Sequence, residues 1–252
     1  MDLSGRTILI TGAGARIGHA LGLAVARAGA NVVAHYRDSA DGAGAVASAA
    51  EQAGNRGVAL QADLADNRAV AGLIARAAGL VGRPIDVLVN NASIFENVEL
   101  MQTTLDVWQR NLQIHLTAPF LLSQAFVAHR REQPATGAGA AVSASIVNML
   151  DHRALRPGAD HFAYTISKAG LAAMTRSLAQ AAAPDVRVNA VALGLILPAV
   201  DGSDDRTTMF RRTPAGRAGT LNEVIDAISF LIAGPAYITG EILHVDGGRH
   251  LT

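Results

Sequence analysis

Arg6-Thr-Ile-Leu-Ile-Thr11 runs into Gly12-Ala-Gly14-Ala-Arg16-Ile-Gly18, after which Leu21, Val25 and Ala28 recur at helical spacing. The stretch reads as a buried strand, a tight turn and a helix. Glycines let the turn bend sharply and let backbone approach a ligand, while the free N–H groups and positive dipole end of the helix attract phosphate. Taken alone, the spacing also suits an ordinary strand-to-helix turn, because glycine makes up 25 of the 252 residues. Its place directly after the first strand favours a nucleotide site.

Further along, short β-branched runs alternate with alanine-rich helical stretches. The strand candidates are Asn31 to Tyr36, Gly57 to Gln61, Ile85 to Asn90, Ala141 to Met149, Val186 to Leu193 and Ile242 to Val245. Such alternation predicts βαβ units and therefore an α/β fold, a doubly wound parallel sheet of Rossmann-like type with helices on both faces. The Pro134 to Ala140 stretch, rich in glycine and alanine, is expected to be a surface loop before the fifth strand.

Half of the residues are apolar and 17% charged, so 252 residues, 1–252, can form a single domain around one extended core. The formal net charge is zero, which offers no electrostatic footprint for nucleic acid or an anionic membrane. Cysteine is absent, so disulfides and thiolate chemistry are excluded. The N-terminus lacks a basic segment followed by an apolar one, and the longest apolar stretch, Ala190 to Val200, is short and broken by Gly194 and Pro198. A soluble cytoplasmic protein is expected. The eight histidines show neither His-x-x-x-His nor a carboxylate cluster of ligand spacing, and no metal is expected.

In an open parallel sheet, ligands sit beyond the carboxyl ends of the strands. Those ends carry the glycine turn; His35-Tyr36-Arg37-Asp38-Ser39; Asp63; Asn90-Asn91-Ala92-Ser93-Ile94-Phe95; Asp151; and Gly194-Leu-Ile-Leu-Pro198. With Tyr164-x-x-x-Lys168 and the terminal Asp246-Gly247-Gly248, this series resembles the short-chain dehydrogenase/reductase family over essentially the whole chain. The resemblance implies a nicotinamide cofactor held by Gly12, Gly14, Arg16, Ile17, Gly18, Tyr36, Arg37, Asp63, Asn91, Ala92, Tyr164, Lys168 and Gly194. It also implies a homotetramer or homodimer packed through the helices after the fourth and fifth strands.

Within the family the chain is most similar to the pteridine reductases, above all the bacterial dihydromonapterin reductases. That similarity rests on the glycine turn with Arg16, His35-Tyr-Arg37, Asn91-Ala-Ser-Ile-Phe95, Gln113-Ile-His-Leu-Thr-Ala-Pro-Phe120, Asp151 with Tyr164 and Lys168, and the ending Asp246-Gly-Gly-Arg-His-Leu251. It implies a small-molecule pterin substrate held by Arg16, Ser93, Phe95, Asp151, Tyr164 and Leu195. Phe95 corresponds to the aromatic that stacks on the pterin ring, and core packing is its alternative.

The chemistry can be argued beside the resemblance. A free tyrosine has a pKa of about 10, and a lysine one helical turn later supplies positive charge that favours phenolate. The i, i+4 spacing puts Tyr164 and Lys168 on one helix face. Asp151 stands where a serine is usual in the family. A serine hydroxyl would donate to a carbonyl oxygen gaining charge, whereas an ionised carboxylate would repel that charge. An aspartate that takes up a proton and passes it through Tyr164 suits a ring nitrogen, so reduction of a C=N bond is expected. Its alternative is a loop or N-cap carboxylate.

At the end of the second strand, Tyr36 stands where an acidic residue would bind a ribose 2'-hydroxyl, and Arg37 is available for a 2'-phosphate, so NADPH is expected. Two departures from the family stand out. His115 occupies the place of a relay asparagine, either keeping the relay as a catalytic group or bonding backbone in the core; Leu193-Gly194 replaces Pro-Gly. Two other activities fit the same motifs: reduction of a simple carbonyl, such as an oxoacyl or keto compound, and non-catalytic NADP binding by a regulator.

Overall fold

The computed structural model describes residues 2–133, 144–198 and 210–252. Seven strands form one sheet: β1 (Thr7–Ile10), β2 (Asn31–Tyr36), β3 (Gly57–Gln61), β4 (Val87–Asn90), β5 (Ala144–Asp151), β6 (Val186–Leu193) and β7 (Ile242–Val245). Their order is β3-β2-β1-β4-β5-β6-β7, with every neighbouring pair parallel. The order reverses between β1 and β4, where a crevice opens beyond the strand ends.

Alternate strand residues feed two cores, as the two-residue pleat requires. Ile8, Ile10, Val87 and Val89 face one layer, which packs against α1 (Arg16–Arg27), α2 (Ala40–Gln52) and a late helix, Leu221–Ala233. Leu9, Leu88 and Ile146 face the other, against Leu73–Val81 and Ala118–Glu132. In chain order the remaining helices are α3 (Asn67–Ala71), α4 (Leu73–Val81), α5 (Leu105–Leu112), α6 (Ala118–Glu132), α7 (Phe162–Ala181) and α8 (Leu221–Ala233). No described helix is long and apolar enough to cross a membrane.

Four of the expected strands have the bounds read from the sequence and three differ, the first being Thr7–Ile10 where Arg6 to Thr11 was expected. The fourth begins at Val87, although the Asp86 backbone still donates to Thr7 O at 2.8 Å and accepts the Ser145 N–H at 3.1 Å, while its carboxylate accepts the Thr7 N–H at 2.9 Å and pairs with Arg130 at 3.0 Å. The fifth is described from Ala144 and runs on to Asp151, in register with Leu193 of β6, so Asp151 is the last residue of a strand and not the first of a loop. The expected Pro134 to Ala140 loop lies outside the described residues.

Between α5 and α6 the helix widens into a π turn, Gln113–Thr117. Pro119 sits at the start of α6, has no N–H to offer the His115 carbonyl four residues earlier, and would clash with it in a regular α turn. One wide turn relieves the clash and carries buried His115 inward.

Candidate active site

At the switch point β1 ends in the glycine turn. Gly12 adopts φ +67°, and a Cβ there would press on Ala92; a Cβ at Gly18 would strike the Gly12 carbonyl and the Asn91 amide. Thr11 and Asn91 lash the turn to β4: the Asn91 amide donates to Thr11 O at 2.8 Å, and Thr11 Oγ1 accepts the N–H groups of Asn91 and Ala92 at 2.9 and 3.0 Å. His35, buried at the end of β2, accepts the Gly12 N–H on Nδ1 at 3.1 Å and meets Ala62 O through Nε2 at 3.1 Å. This pattern assigns the proton to Nε2. Burial drops the His35 pKa to about 4. Helix α1 then starts at Arg16, with no side chain capping its N–H groups.

These groups open on a cavity of about 680 Å³. Every site residue expected from the sequence borders it except His115. Its two ends differ. One holds the uncapped start of α1, Tyr36, Arg37 and Asp63; the other holds Phe95, Asp151, Tyr164 and Lys168. A glycine turn open to close backbone approach, uncapped N–H groups and Arg37 fit a phosphorylated dinucleotide lying along this cavity. Arg37 is now paired with Asp38 at 2.6 Å, both side chains being more than half exposed. Arg16, with φ +52°, reaches across the mouth and donates to Pro198 O at 2.9 Å.

At the other end, α7 presents Tyr164 and Lys168 on one buried face. Lys168 Nζ donates to Met149 O of β5 at 2.8 Å and lies 5.7 Å from the Tyr164 ring centroid. The Tyr164 hydroxyl donates to Asp151 Oδ2 over 3.4 Å. Asp151 Oδ1 accepts the Arg153 N–H at 2.8 Å and has His152 Nδ1 at 3.0 Å and the Arg153 guanidinium at 3.7 Å. Burial alone would raise the Asp151 pKa, but His152 and Arg153 together hold it below the ordinary carboxylate value. Asp151 therefore favours the carboxylate form, which goes against the expectation that it stores a proton to pass on through Tyr164. Tyr164 is pushed well above 10 by burial and by the Asp151 charge, which Arg153 only partly offsets. The expected pull of Lys168 toward phenolate is thus outweighed here. Lys168 itself falls to about 8 through burial, against the attraction of Asp151.

Phe95 is 48% exposed, so core packing is not its role. Its ring stacks on His161 with centroids 4.2 Å apart and meets the Tyr164 ring edge-on at 4.9 Å, while Arg153 lies 5.9 Å from its centroid. His161 is held by Asp160 at 3.1 Å, and Asp160 by Arg153 at 2.8 Å. Ser93 Oγ lies 3.0 Å from His115 Nε2, which also accepts the Ile94 N–H at 3.1 Å; His115 Nδ1 faces Ser167 Oγ at 2.9 Å. His115 therefore sits behind Tyr164, its ring edge-on at 5.2 Å, with both nitrogens engaged and its pKa driven well down by burial. Its partners are the Ile94 backbone and the hydroxyls of Ser93 and Ser167, contacts that serve both of the roles open to it.

The sequence reading missed Arg153, Asp160, His161 and Arg249, of which Arg153, His161 and Arg249 border the cavity. Arg153 and Asp160 lie within the Asp151 to Tyr164 segment, and that proximity was the available signal. The structure also gathers His244, Asp246 and His250, the two imidazoles stacked with centroids 3.9 Å apart. Asp246 there accepts the N–H groups of Gly248 and His250 at 2.9 and 2.8 Å, bracing the C-terminal turn.

A family model described as enoyl-(acyl carrier protein) reductase matches residues 12–250. The chain is 39% identical to a cis-4-hydroxycyclohexanecarboxylate dehydrogenase of Sinomonas cyclohexanicum, covering 96% of both chains. It is 33% identical to a 3-oxoacyl-[acyl-carrier-protein] reductase of Synechocystis, covering 98% of this chain and 97% of the other. Among solved structures, FolM alternative dihydrofolate reductase 1 from Brucella canis, complexed with NADP, superposes with a TM-score of 0.87 at 32% identity over 100% of this chain and 97% of the other.

Proposed function

The chain belongs to the short-chain dehydrogenase/reductase family, and on that premise we propose that it reduces a C=N bond in a dihydropterin ring at the expense of NADPH. It is an oxidoreductase, and its cofactor is NADP(H). When bound, the cofactor supplies the hydride. The glycine turn, the start of α1 and Arg37 hold its phosphates, and Lys168 on α7 stands beside the reacting end.

The observation that carries the substrate reading is the Asp151 carboxyl group 3.4 Å from the Tyr164 hydroxyl, with Arg153 beside it. Reduction of a carbonyl builds negative charge on oxygen, which a neighbouring carboxylate opposes. A ring imine is reduced more readily when its nitrogen carries a proton, and a carboxylate favours that cation. Tyr164, kept protonated by burial and by Asp151, donates its proton to the nitrogen. The phenolate left beside Asp151 then recovers its proton from solvent, a return that the raised pKa of Tyr164 favours. Phe95 offers its ring as a wall for a flat heterocycle. The neighbour described as an alternative dihydrofolate reductase supports the pterin reading.

Carbonyl reduction is favoured by one observation, the names of the dehydrogenase and oxoacyl reductase relatives. NADPH oxidation followed with dihydromonapterin, dihydrobiopterin, dihydrofolate and a set of ketones decides between them. Turnover of the ketones alone sinks the pterin reading.

A further inference from the structure

Three segments distant in sequence meet beside the substrate end of the cavity and each brings an arginine, Arg156 and Arg212 being exposed and outside the cavity lining. Arg156 follows β5, Arg212 precedes the chain that packs on the C-terminal turn, and Arg249 opens that turn. They are fixed to one another through backbone: Arg249 donates to Arg212 O at 2.9 Å, Arg156 to Arg249 O at 3.4 Å, and Thr252 Oγ1 to Arg212 O at 2.6 Å. Gly247 and Gly248, at φ +61° and +82°, let the turn lie against Thr213 and Pro214. Arg249 borders the cavity itself.

None of the three has a carboxylate partner among the described residues. The nearby carboxylates, Asp151 and Asp160, are already engaged by Arg153, His152 and His161. Arg249 is lowered below the usual arginine range by burial and then by Arg212, Arg156 and Arg153. Asp160 offsets this repulsion only in part, and like charges gathered in this way oppose one another until an anion joins them. The cofactor's phosphates are provided for at the opposite end, by α1 and Arg37, so this second group of cations is left for the substrate.

We infer that Arg249 at the cavity wall, with the exposed Arg156 and Arg212 beside it, forms an oxyanion subsite, and that the substrate carries a carboxylate or phosphate remote from the ring that is reduced. Arg153, 5.9 Å from the Phe95 centroid and 3.7 Å from Asp151, marks the path between the two ends of such a molecule. The inference rests on the pterin reading for the identity of the ring.

The test compares Arg212→Gln and the Arg156→Gln/Arg212→Gln double variant with the unaltered protein. Substrate pairs share a reducible ring and differ in charge: 7,8-dihydrofolate against 7,8-dihydrobiopterin for a carboxylate, and 7,8-dihydroneopterin monophosphate against dihydroneopterin for a phosphate. The readout is the ratio of kcat/KM for the charged member over the neutral one. That ratio is expected to fall about tenfold per arginine removed, to recover with Arg212→Lys and to shrink with added salt. The pair that responds identifies the source of the anion. A ratio unchanged in the double variant for both pairs overturns the subsite. If no pterin is reduced, the pterin reading fails by itself. The same ratio taken for a 3-oxoacyl coenzyme A against its uncharged N-acetylcysteamine thioester then decides the subsite: a fall keeps it, and an unchanged ratio or no turnover of either thioester removes it.

Discussion

Tyr164 donates its hydroxyl hydrogen to Asp151 Oδ2 across 3.4 Å, with the Arg153 guanidinium on the far side of the carboxylate. Replacing the charge while keeping the shape, Asp151→Asn is expected to lower kcat on a dihydropterin by roughly 10²- to 10⁴-fold, the range for losing a group in general acid catalysis, with NADPH affinity nearly unchanged. Asp151→Ser should gain activity on ketones and lose it on pterins, since a neutral hydroxyl donor suits a developing alkoxide. Steady-state kinetics of both variants on both substrate types check this. Undiminished pterin turnover by Asp151→Asn would reduce the aspartate to an N-cap carboxylate of the turn that follows β5.

Lys168 sets the alkaline side of the activity profile. With burial bringing it to about 8, its ammonium form is present below that pH and lost above it. kcat/KM should therefore decline as pH rises through about 8, while Asp151, already ionised, contributes no limb near neutrality. A profile flat to pH 10 would contradict the assignment.

For Phe95, exposure and stacking decide the expectation. Phe95→Ala should weaken substrate binding about three- to tenfold, the worth of one aromatic contact, and leave NADPH binding within about twofold. Titration of each ligand separates the effects, and equal losses for both would mean that the ring serves the fold.

The choice between NADPH and NADH turns on Arg37. Its present partner, Asp38, is exposed, and such a pair costs little to exchange for a phosphate. Arg37→Ala should raise the NADPH Kd about tenfold and leave that of NADH alone, while Asp38→Asn, freeing the guanidinium, should tighten NADPH. An unchanged preference in both variants would count against the arginine.

His35 gives a stability signature. The unfolded chain takes up this proton below pH 6.5 and the folded one only near 4, so the contribution is whole above 6.5 and drains away as pH falls through that window. Between the two limits the difference is roughly 3 kcal/mol. Urea unfolding of the wild type and His35→Asn at several pH values isolates it as the part of the slope that the variant lacks.

Much of this was legible beforehand because it is local. Strands 31–36, 57–61, 186–193 and 242–245 are β-branched or apolar runs, and the residues at their carboxyl ends are placed by topology alone. What the sequence concealed depends on distant partners. The π turn at His115 is dictated by Pro119, and the neutral state of His35 by its burial between two other strand ends. The Arg153, Asp160 and His161 cluster lies in a segment without periodicity, and its arrangement is visible only once Phe95 arrives from the loop after β4. The basicity of Tyr164 depended on burial, which a spacing of four residues does not reveal.

His161 enters α7 with φ 51° and ψ 47°, a conformation that costs a residue with a side chain on the order of 1 kcal/mol. Glycine would adopt it freely. Stability and activity should consequently pull in opposite directions at this one position: His161→Gly is expected to raise Tm slightly and to weaken substrate binding through the loss of the ring behind Phe95. Selection for thermal robustness alone would discard the histidine, and selection for turnover would retain it.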